Sequence, residues 1–397
     1  MKTANTSRKG IWTLFSRVTS SGKIIPEIDG LRFIAILWVL GFHINGEYIK
    51  VMGGHFPGQI QGSSFRRVVE TWDFGVQLFF VISGFILGLP FVRHYWNGTP
   101  KPRLGQYYLR RVTRIEPPYV INLMFCSALI IMVKGPPLSE LLPHLMASLF
   151  YVHNLVFHSV SSINFVTWSL EIEAQFYLAA PWLTLIFAVS HRRRYALPMV
   201  ALFTSAVAAG WLNQFSPVVH LTILGQLPYF LAGFLLAGWY SQNEAFLSKK
   251  SLGWDLAGAA AWATIQLVLL HKGMASAILL PPLVALAYAC VFKGRLLGAI
   301  LTRPVITVIG GMCYTVYLYH PFLKSALKHL LFPFQVTTIY WVNAVAQILA
   351  LGGSIVLVCS LFFLVFEKPF MYRDWPAGFR GLIRRFAARR LLADVNK

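Results

Sequence analysis

The chain is a succession of long apolar runs separated by short polar and basic segments. A membrane helix needs about 20 mostly apolar residues. Ten runs approach or exceed that length, at 31–49, 74–92, 117–134, 171–190, 196–212, 219–240, 254–271, 274–292, 305–323 and 338–366. The pattern predicts an all-α integral membrane protein of about ten transmembrane helices in a single bundle. The stretch 135–167 contains LLPHLMASLFYVHNLVFH, interrupted by proline and rich in histidine. It predicts a re-entrant or interfacial helix rather than a span.

Composition agrees with this reading and charge refines it. Of 397 residues 56% are hydrophobic and 12% charged, against about 25% charged in an ordinary soluble domain. The formal charge is +21, from 35 Lys+Arg against 14 Asp+Glu. Such a balance can mean nucleic acid, but the basic residues fall between apolar spans, so topology is the simpler cause. The segments 93–114, 191–195, 241–253 and 293–303 and the tail after 367 are basic, and they alternate with poorer loops. Holding the basic loops inside puts both termini in the cytoplasm, as ten spans require. The loop 47–72 fits less well, because it should face outward yet carries Lys50, Arg66 and Arg67.

This divides the chain into a cytoplasmic segment (1–28), a transmembrane domain (29–366) and a basic amphipathic tail (367–397) lying on the inner leaflet. No cleaved signal peptide is expected. The cysteines, Cys126, Cys290, Cys313 and Cys359, lie far apart in or beside apolar runs. They read as small core residues, not as a disulfide framework or a metal site.

Ionisable residues inside spans are costly and become functional candidates. In DGLRFIAILWVLGFHING (29–46), Arg32 and His43 are eleven residues apart. On a helix that is about 16 Å of rise and a return to within about 20° of the starting direction. Both therefore lie on one face. His43 is a proton acceptor for a hydroxyl or hydrogen-bonded packing between helices, with little to choose from position alone. Asp29 reads as a cap of the helix start. Ser83-Gly84 allows close helix approach, with packing the default, and Gln77 is polar in an apolar stretch. Arg111 and Arg114 share a helical face; two guanidinium forks suit phosphate, although plain anchoring of the loop is the slightly stronger reading. Pro117 and Pro118 mark the start of the next span. WSLEIEAQFY (168–177) places Glu171 and Glu173 at the start of the fourth span between the belt residues Trp168 and Tyr177, Glu171 being the more solvated. His320 in YLYHPF (317–322) reads as an ordinary interfacial residue. There is no P-loop, dinucleotide fingerprint, G-x-S-x-G elbow or metal-ligand cluster.

Taken in order, IPEIDGLRFIAILWVLGFH, GVQLFFVISGF, RRVTRIEPPY, WSLEIEAQFY and YLYHPF resemble the acyltransferase-3 family of bacterial membrane O-acyltransferases. Each motif alone is weak; five in order over about three quarters of the chain are specific. The resemblance implies an enzyme of the bacterial inner membrane. It would move an acyl group, acetyl in many members, from acyl-CoA on the cytoplasmic side to a hydroxyl of a cell-envelope or exported glycan, a lipid-linked sugar or a small metabolite. Acyl-CoA would be a substrate, with no bound cofactor, no metal and no nucleic acid. Arg32 and His43 match the family's Arg-x10-His element, and Arg111 and Arg114 its Arg-x-x-Arg element, associated with coenzyme A. Glu173 is the motif's recurrent acid. Asp29, Trp168 and Ser83 are expected to support the site. Gln77 stands where many members carry an acid, which weakens a catalytic role there. Some relatives also carry an outer SGNH-type esterase domain, which is not expected after the tail of this chain.

The mechanism this implies uses His43 as general base with Glu173 orienting it, by direct transfer or through an acyl-histidine. Arg111 and Arg114, and Arg32 beside them, would hold the donor's phosphates. The main rival is a transporter or flippase of an anionic glycolipid, with His43 as a proton relay; paired discontinuous helices or inverted repeats would favour it, and neither is legible. A purely structural partner of an envelope-assembly complex is the third reading.

Overall fold

The apolar runs fold as helices, the solution that satisfies every backbone group within one segment in a membrane. The computed structural model describes residues 10–18, 24–189, 193–271, 273–372 and 375. The helices are, in order, α1 (Ile11–Phe15), α2 (Pro26–Met52), α3 (Ser64–Glu70), α4 (Gly75–Asn97), α5 (Leu104–Lys134), α6 (Leu138–Leu149), α7 (His153–Phe157), α8 (Trp168–Leu183) and α9 (Ala196–Phe215). They continue as α10 (Ile223–Gln242), α11 (Glu244–Leu247), α12 (Leu252–Leu270), α13 (Met274–Lys293), α14 (Leu296–Leu301), α15 (Pro304–Gly311), α16 (Cys313–Leu331) and α17 (Tyr340–Phe362). Among the described residues there is no strand, only an isolated bridge between Ser251 and Gly294. The tail expected on the inner leaflet lies, but for 367–372 and Trp375, outside the described residues.

Seven helical segments among the described residues are long and apolar enough to cross a membrane, or eight if the bent pair α15–α16 is one span. The expected ten exceeds that number. The runs 31–49 and 171–190 make the difference: α2 carries five charged residues in its 27, and α8 stops after 16 residues in a 3₁₀ turn over Thr184–Phe187. The bend of 71° between α15 and α16 is a discontinuous helix that the hydropathy pattern does not reveal. The stretch 135–167 forms the short helices α6 and α7, neither of which is long enough to span.

The most extensive helix contact is between α4 and α10, and small residues set it. A Cβ on Gly84 would collide with the Phe230 carbonyl, and one on Gly233 with the Val81 carbonyl. The two backbones meet where each lacks a side chain. Around this contact Phe176 stacks on Phe230 with centroids 3.7 Å apart, and the Tyr288 hydroxyl donates to the Leu78 carbonyl at 3.0 Å.

Two local expectations are corrected. Asp29 does not cap α2: the helix starts at Pro26, whose fixed φ and missing N–H suit a first helical position. Asp29 lies inside the helix, buried and ion-paired. Nor does a helix begin at Pro117; α5 runs through both prolines from Leu104. Proline 117 cannot donate to the Thr113 carbonyl four residues back, and the Trp375 indole N–H takes its place at 2.9 Å.

Candidate functional site

A cavity of about 160 Å³ opens between α2, α4, α5, α8 and the α15–α16 bend. It collects five of the residues singled out from the sequence: Arg32, Ser83, Arg111, Arg114 and Glu173 all line it. The convergence has a local cause at each residue. Arg111 and Arg114 are three apart on α5 and point the same way. Glu171 and Glu173 are two apart on α8, so they point to different sides of the helix. Glu173 faces the cavity, where the Ser83 hydroxyl donates to its Oε1.

Glu171 departs from expectation. It is fully buried rather than solvated, and lies outside the cavity. Its Oε2 accepts from the Asn154 backbone N–H at 2.8 Å, which ties α7 to α8, while its Oε1 has no hydrogen-bond partner among the described residues.

The arginines divide into held and unheld. Arg32 donates to Asp29 Oδ1 at 2.8 Å, and Arg17 donates from Nε to Oδ2 of the same carboxylate at 2.9 Å. This network fixes the Arg32 guanidinium at the cavity wall. Arg111 lies over the Tyr107 ring at 5.4 Å. Among the described residues neither Arg111 nor Arg114 forms an ion pair or a side-chain hydrogen bond. Three guanidiniums face two carboxylates, Glu173 and Glu367, in the lining. The cavity is therefore electropositive, with unused donor forks, which is the chemistry that receives a phosphate-rich anion.

His43 does not line the cavity. Its ring lies 5.2 Å from Phe165 and 5.1 Å from His320, centroid to centroid. The connection runs through α16, where Tyr317 lines the cavity and its ring lies 5.9 Å from His320. Arg32 and His43 both face α16, Arg32 near Cys313 and His43 against His320. His320 is corrected from an interfacial residue to a fully buried one. Trp168 also lies outside the lining; its ring meets Phe80 and His220 edge-on. Gln77 donates weakly to Gln226 at 3.4 Å.

Three site residues were not singled out from the sequence. Glu367 lines the cavity and accepts from the Thr315 N–H at 3.1 Å. The signal was an acid closing the last apolar run. Ser169 and Tyr317, also in the lining, share a hydroxyl–hydroxyl hydrogen bond of 2.7 Å. The four cysteines are free thiols, three of them buried, with Cys313 at the cavity wall.

Residues 25–364 match the acyltransferase-3 family, described as an acyltransferase domain. A Staphylococcus aureus (strain COL) protein provisionally named an O-acetyltransferase is 24% identical over 326 residues, covering 75% of this chain and 50% of its own. The O-acetyltransferase OatA of Staphylococcus aureus (strain NCTC 8325) is 23% identical over 327 residues, 76% of this chain and 50% of its own. The peptidoglycan O-acetyltransferase OatA of Listeria monocytogenes is 28% identical over 203 residues, 49% of this chain and 29% of its own. The chain spans about half the length of the first of these relatives. No solved structure matches it. A match over most of the chain, together with an all-helical membrane architecture and the convergence of its motifs on one cavity, makes this chain a member of the acyltransferase-3 family.

Proposed function

We propose that the protein is a multi-pass inner-membrane O-acyltransferase that moves an acetyl group from acetyl-CoA to a hydroxyl of a cell-envelope or exported glycan. The observation that carries this is the cavity itself: two unpartnered guanidiniums, Arg111 and Arg114, stand beside a third held by Asp29, at the end of α2 that leads to His43. The same end carries the basic segments, with Lys250 ion-paired to Glu27 at 3.2 Å and Arg93 to Glu244 at 2.6 Å. By the positive-inside rule that end is cytoplasmic, where coenzyme A is found.

In this reading Arg111 and Arg114 hold the phosphates of the donor and Arg32 guides the pantetheine arm past Ser83 and Glu173. His43 removes the acceptor hydroxyl's proton as the oxygen attacks the thioester carbon. The C–O bond forms, the C–S bond breaks, and the proton passes from His43 to the departing thiolate. Positioned proton transfer of this kind contributes about 10²–10⁴-fold. Glu173, oriented by Ser83, steadies the positive charge along the path. The named activities of the relatives, O-acetyl transfer and in one case peptidoglycan as acceptor, support this substrate class.

The broken α15–α16 span is the one observation that favours a transporter or flippase. No second broken pair accompanies it among the described residues. The test is free-thiol release from acetyl-CoA by purified protein in vesicles, with and without a glycan extract, for wild type and His43→Ala. Release that requires His43 supports acyl transfer. Donor-independent movement of glycolipid without thiol release would support the transporter.

A further inference from the structure

YLYHPF puts a proline directly after His320, and that proline has a specific consequence. Pro321 sits inside α16 and has no N–H to give the carbonyl four residues back, which is that of Tyr317. The His320 side chain fills the gap: Nδ1–H donates to the Tyr317 carbonyl at 2.8 Å. With its proton on Nδ1, a neutral imidazole keeps a bare acceptor lone pair on Nε2. That atom is buried and has no hydrogen-bond partner among the described residues, a costly state for a polar group.

Among the described residues, the aromatic neighbour with an N–H to offer is His43. Their rings lie 5.1 Å apart and tilted by 35°. A second histidine pair in the same protein calibrates that spacing. His144 and His153 have centroids 5.1 Å apart and a tilt of 32°, and their ring nitrogens are hydrogen-bonded at 2.8 Å. The His43–His320 pair therefore already has the centroid separation and tilt of a bonded pair. Neither nitrogen of His43 has a hydrogen-bond partner among the described residues, so one is free for His320 and the other for a hydroxyl. One turn further along both helices, Glu47 accepts from Lys324 at 3.1 Å and also binds Lys328, which offsets one of these two positive charges.

We infer that His320 is a positioning residue for His43. Its Nε2 accepts the His43 N–H, fixes the His43 tautomer with the lone pair turned to the acceptor hydroxyl, and stabilises the imidazolium as the proton arrives. The relay is hydroxyl to His43 to His320 to the Tyr317 carbonyl, with Pro321 supplying the free carbonyl. A base oriented by a third group is the general logic of catalytic triads, met here with a neutral imidazole as the third member. The inference rests on the acyltransferase reading for its purpose, but not for its geometry.

The test uses the full chain purified in detergent, as wild type, His320→Leu and His320→Gln. Leucine keeps the volume and removes the acceptor; glutamine returns an acceptor oxygen. Diethyl pyrocarbonate labelling of His43, followed by mass spectrometry, reads the pair without any substrate. Thiol release from acetyl-CoA reads turnover. The expected result is slower His43 labelling in His320→Leu, in protein that still unfolds cooperatively, with recovery in His320→Gln. Turnover should fall roughly 10–100-fold in kcat in the leucine variant, the effect of one lost charge-assisted hydrogen bond, with the KM for acetyl-CoA unchanged. Equal labelling in all three proteins would overturn the inference, and so would a turnover loss that glutamine does not recover. Should wild type release no thiol while the labelling pattern holds, the pairing stands and the acyl-transfer reading fails.

Discussion

Arg114 offers the sharpest test of the cavity, because protein stability and donor binding should respond to its loss in opposite directions. It lines the site with no ion pair or hydrogen bond among the described residues. Among the charged groups that act on it are Arg17, Arg32 and Arg111, which repel it, and Glu367, which attracts it. A guanidinium withdrawn from water without a partner carries an effective penalty of several kcal/mol. Arg114→Met keeps much of the side-chain length and removes the charge. The empty protein should gain about 1–2 kcal/mol, within the range seen when buried charges give way to apolar residues, and its melting temperature should rise by a few degrees. Binding should move the other way. A guanidinium–phosphate contact is worth about 1.5–3 kcal/mol, which is roughly a 10- to 150-fold weaker donor interaction. The assay is thermal unfolding in detergent with and without coenzyme A, which needs no acceptor. Wild type should be stabilised by coenzyme A, and Arg114→Met should start higher and gain little. A variant that is less stable than wild type yet shifts with coenzyme A as wild type does would refute the reasoning, leaving Arg114 as a structural cation.

Four further outcomes follow from the structure. Glu47→Gln strands Lys324 and Lys328 toward the C-terminal end of α16 and should cost about 1–3 kcal/mol, discounted for partial exposure; adding Lys324→Met and Lys328→Met should recover most of it, and a triple variant no better than Glu47→Gln would sink the idea. Gly84→Ala forces a Cβ onto the Phe230 carbonyl and should destabilise by about 1–3 kcal/mol, read as a lower melting temperature, whereas Gly98→Ala at the left-handed C-cap of α4 should lose about 1 kcal/mol for backbone strain alone. Ser83→Ala removes the hydroxyl that orients Glu173 and should lower kcat about tenfold with the acetyl-CoA KM unchanged; a change confined to KM would place Ser83 in donor binding instead.

How much of this was legible in the sequence depended on whether regular helix geometry applied. Arg111 and Arg114 were expected on one helical face, and they share the cavity wall. The eleven-residue step from Arg32 to His43 was readable for the same reason, since both sit on the straight helix α2 and face α16. Glu171 was misplaced because spacing gives direction without saying what waits there: the residue points into α7, where the Asn154 N–H receives it. The start of α5 was misread because proline is a strong local breaker, and the donor that replaces its N–H, Trp375, lies more than 250 residues away in the chain. His320 looked interfacial by its place near the end of an apolar run. Its burial against His43 is a tertiary fact that no local window contains.

The irregular points of this fold are also where its chemistry gathers, and the bilayer gives a reason. In hydrocarbon, a broken helix leaves carbonyls that only protein can satisfy, so such breaks persist where side chains are arranged around them. Pro117 frees the Thr113 carbonyl on α5, one residue from Arg114. Pro321 frees the Tyr317 carbonyl on α16 and thereby sets His320. The 71° bend after Gly311 turns Cys313 and Tyr314 into the cavity wall. A π-helical turn over Phe363–Glu367 ends the last long helix, and the wider turn brings Glu367 into the same wall; single π turns recur at functional sites for this reason. The breaks, each covered by a named donor or acceptor, are what bring the groups that bind an anion and the groups that move a proton to opposite ends of one polar seam along α2 and α16.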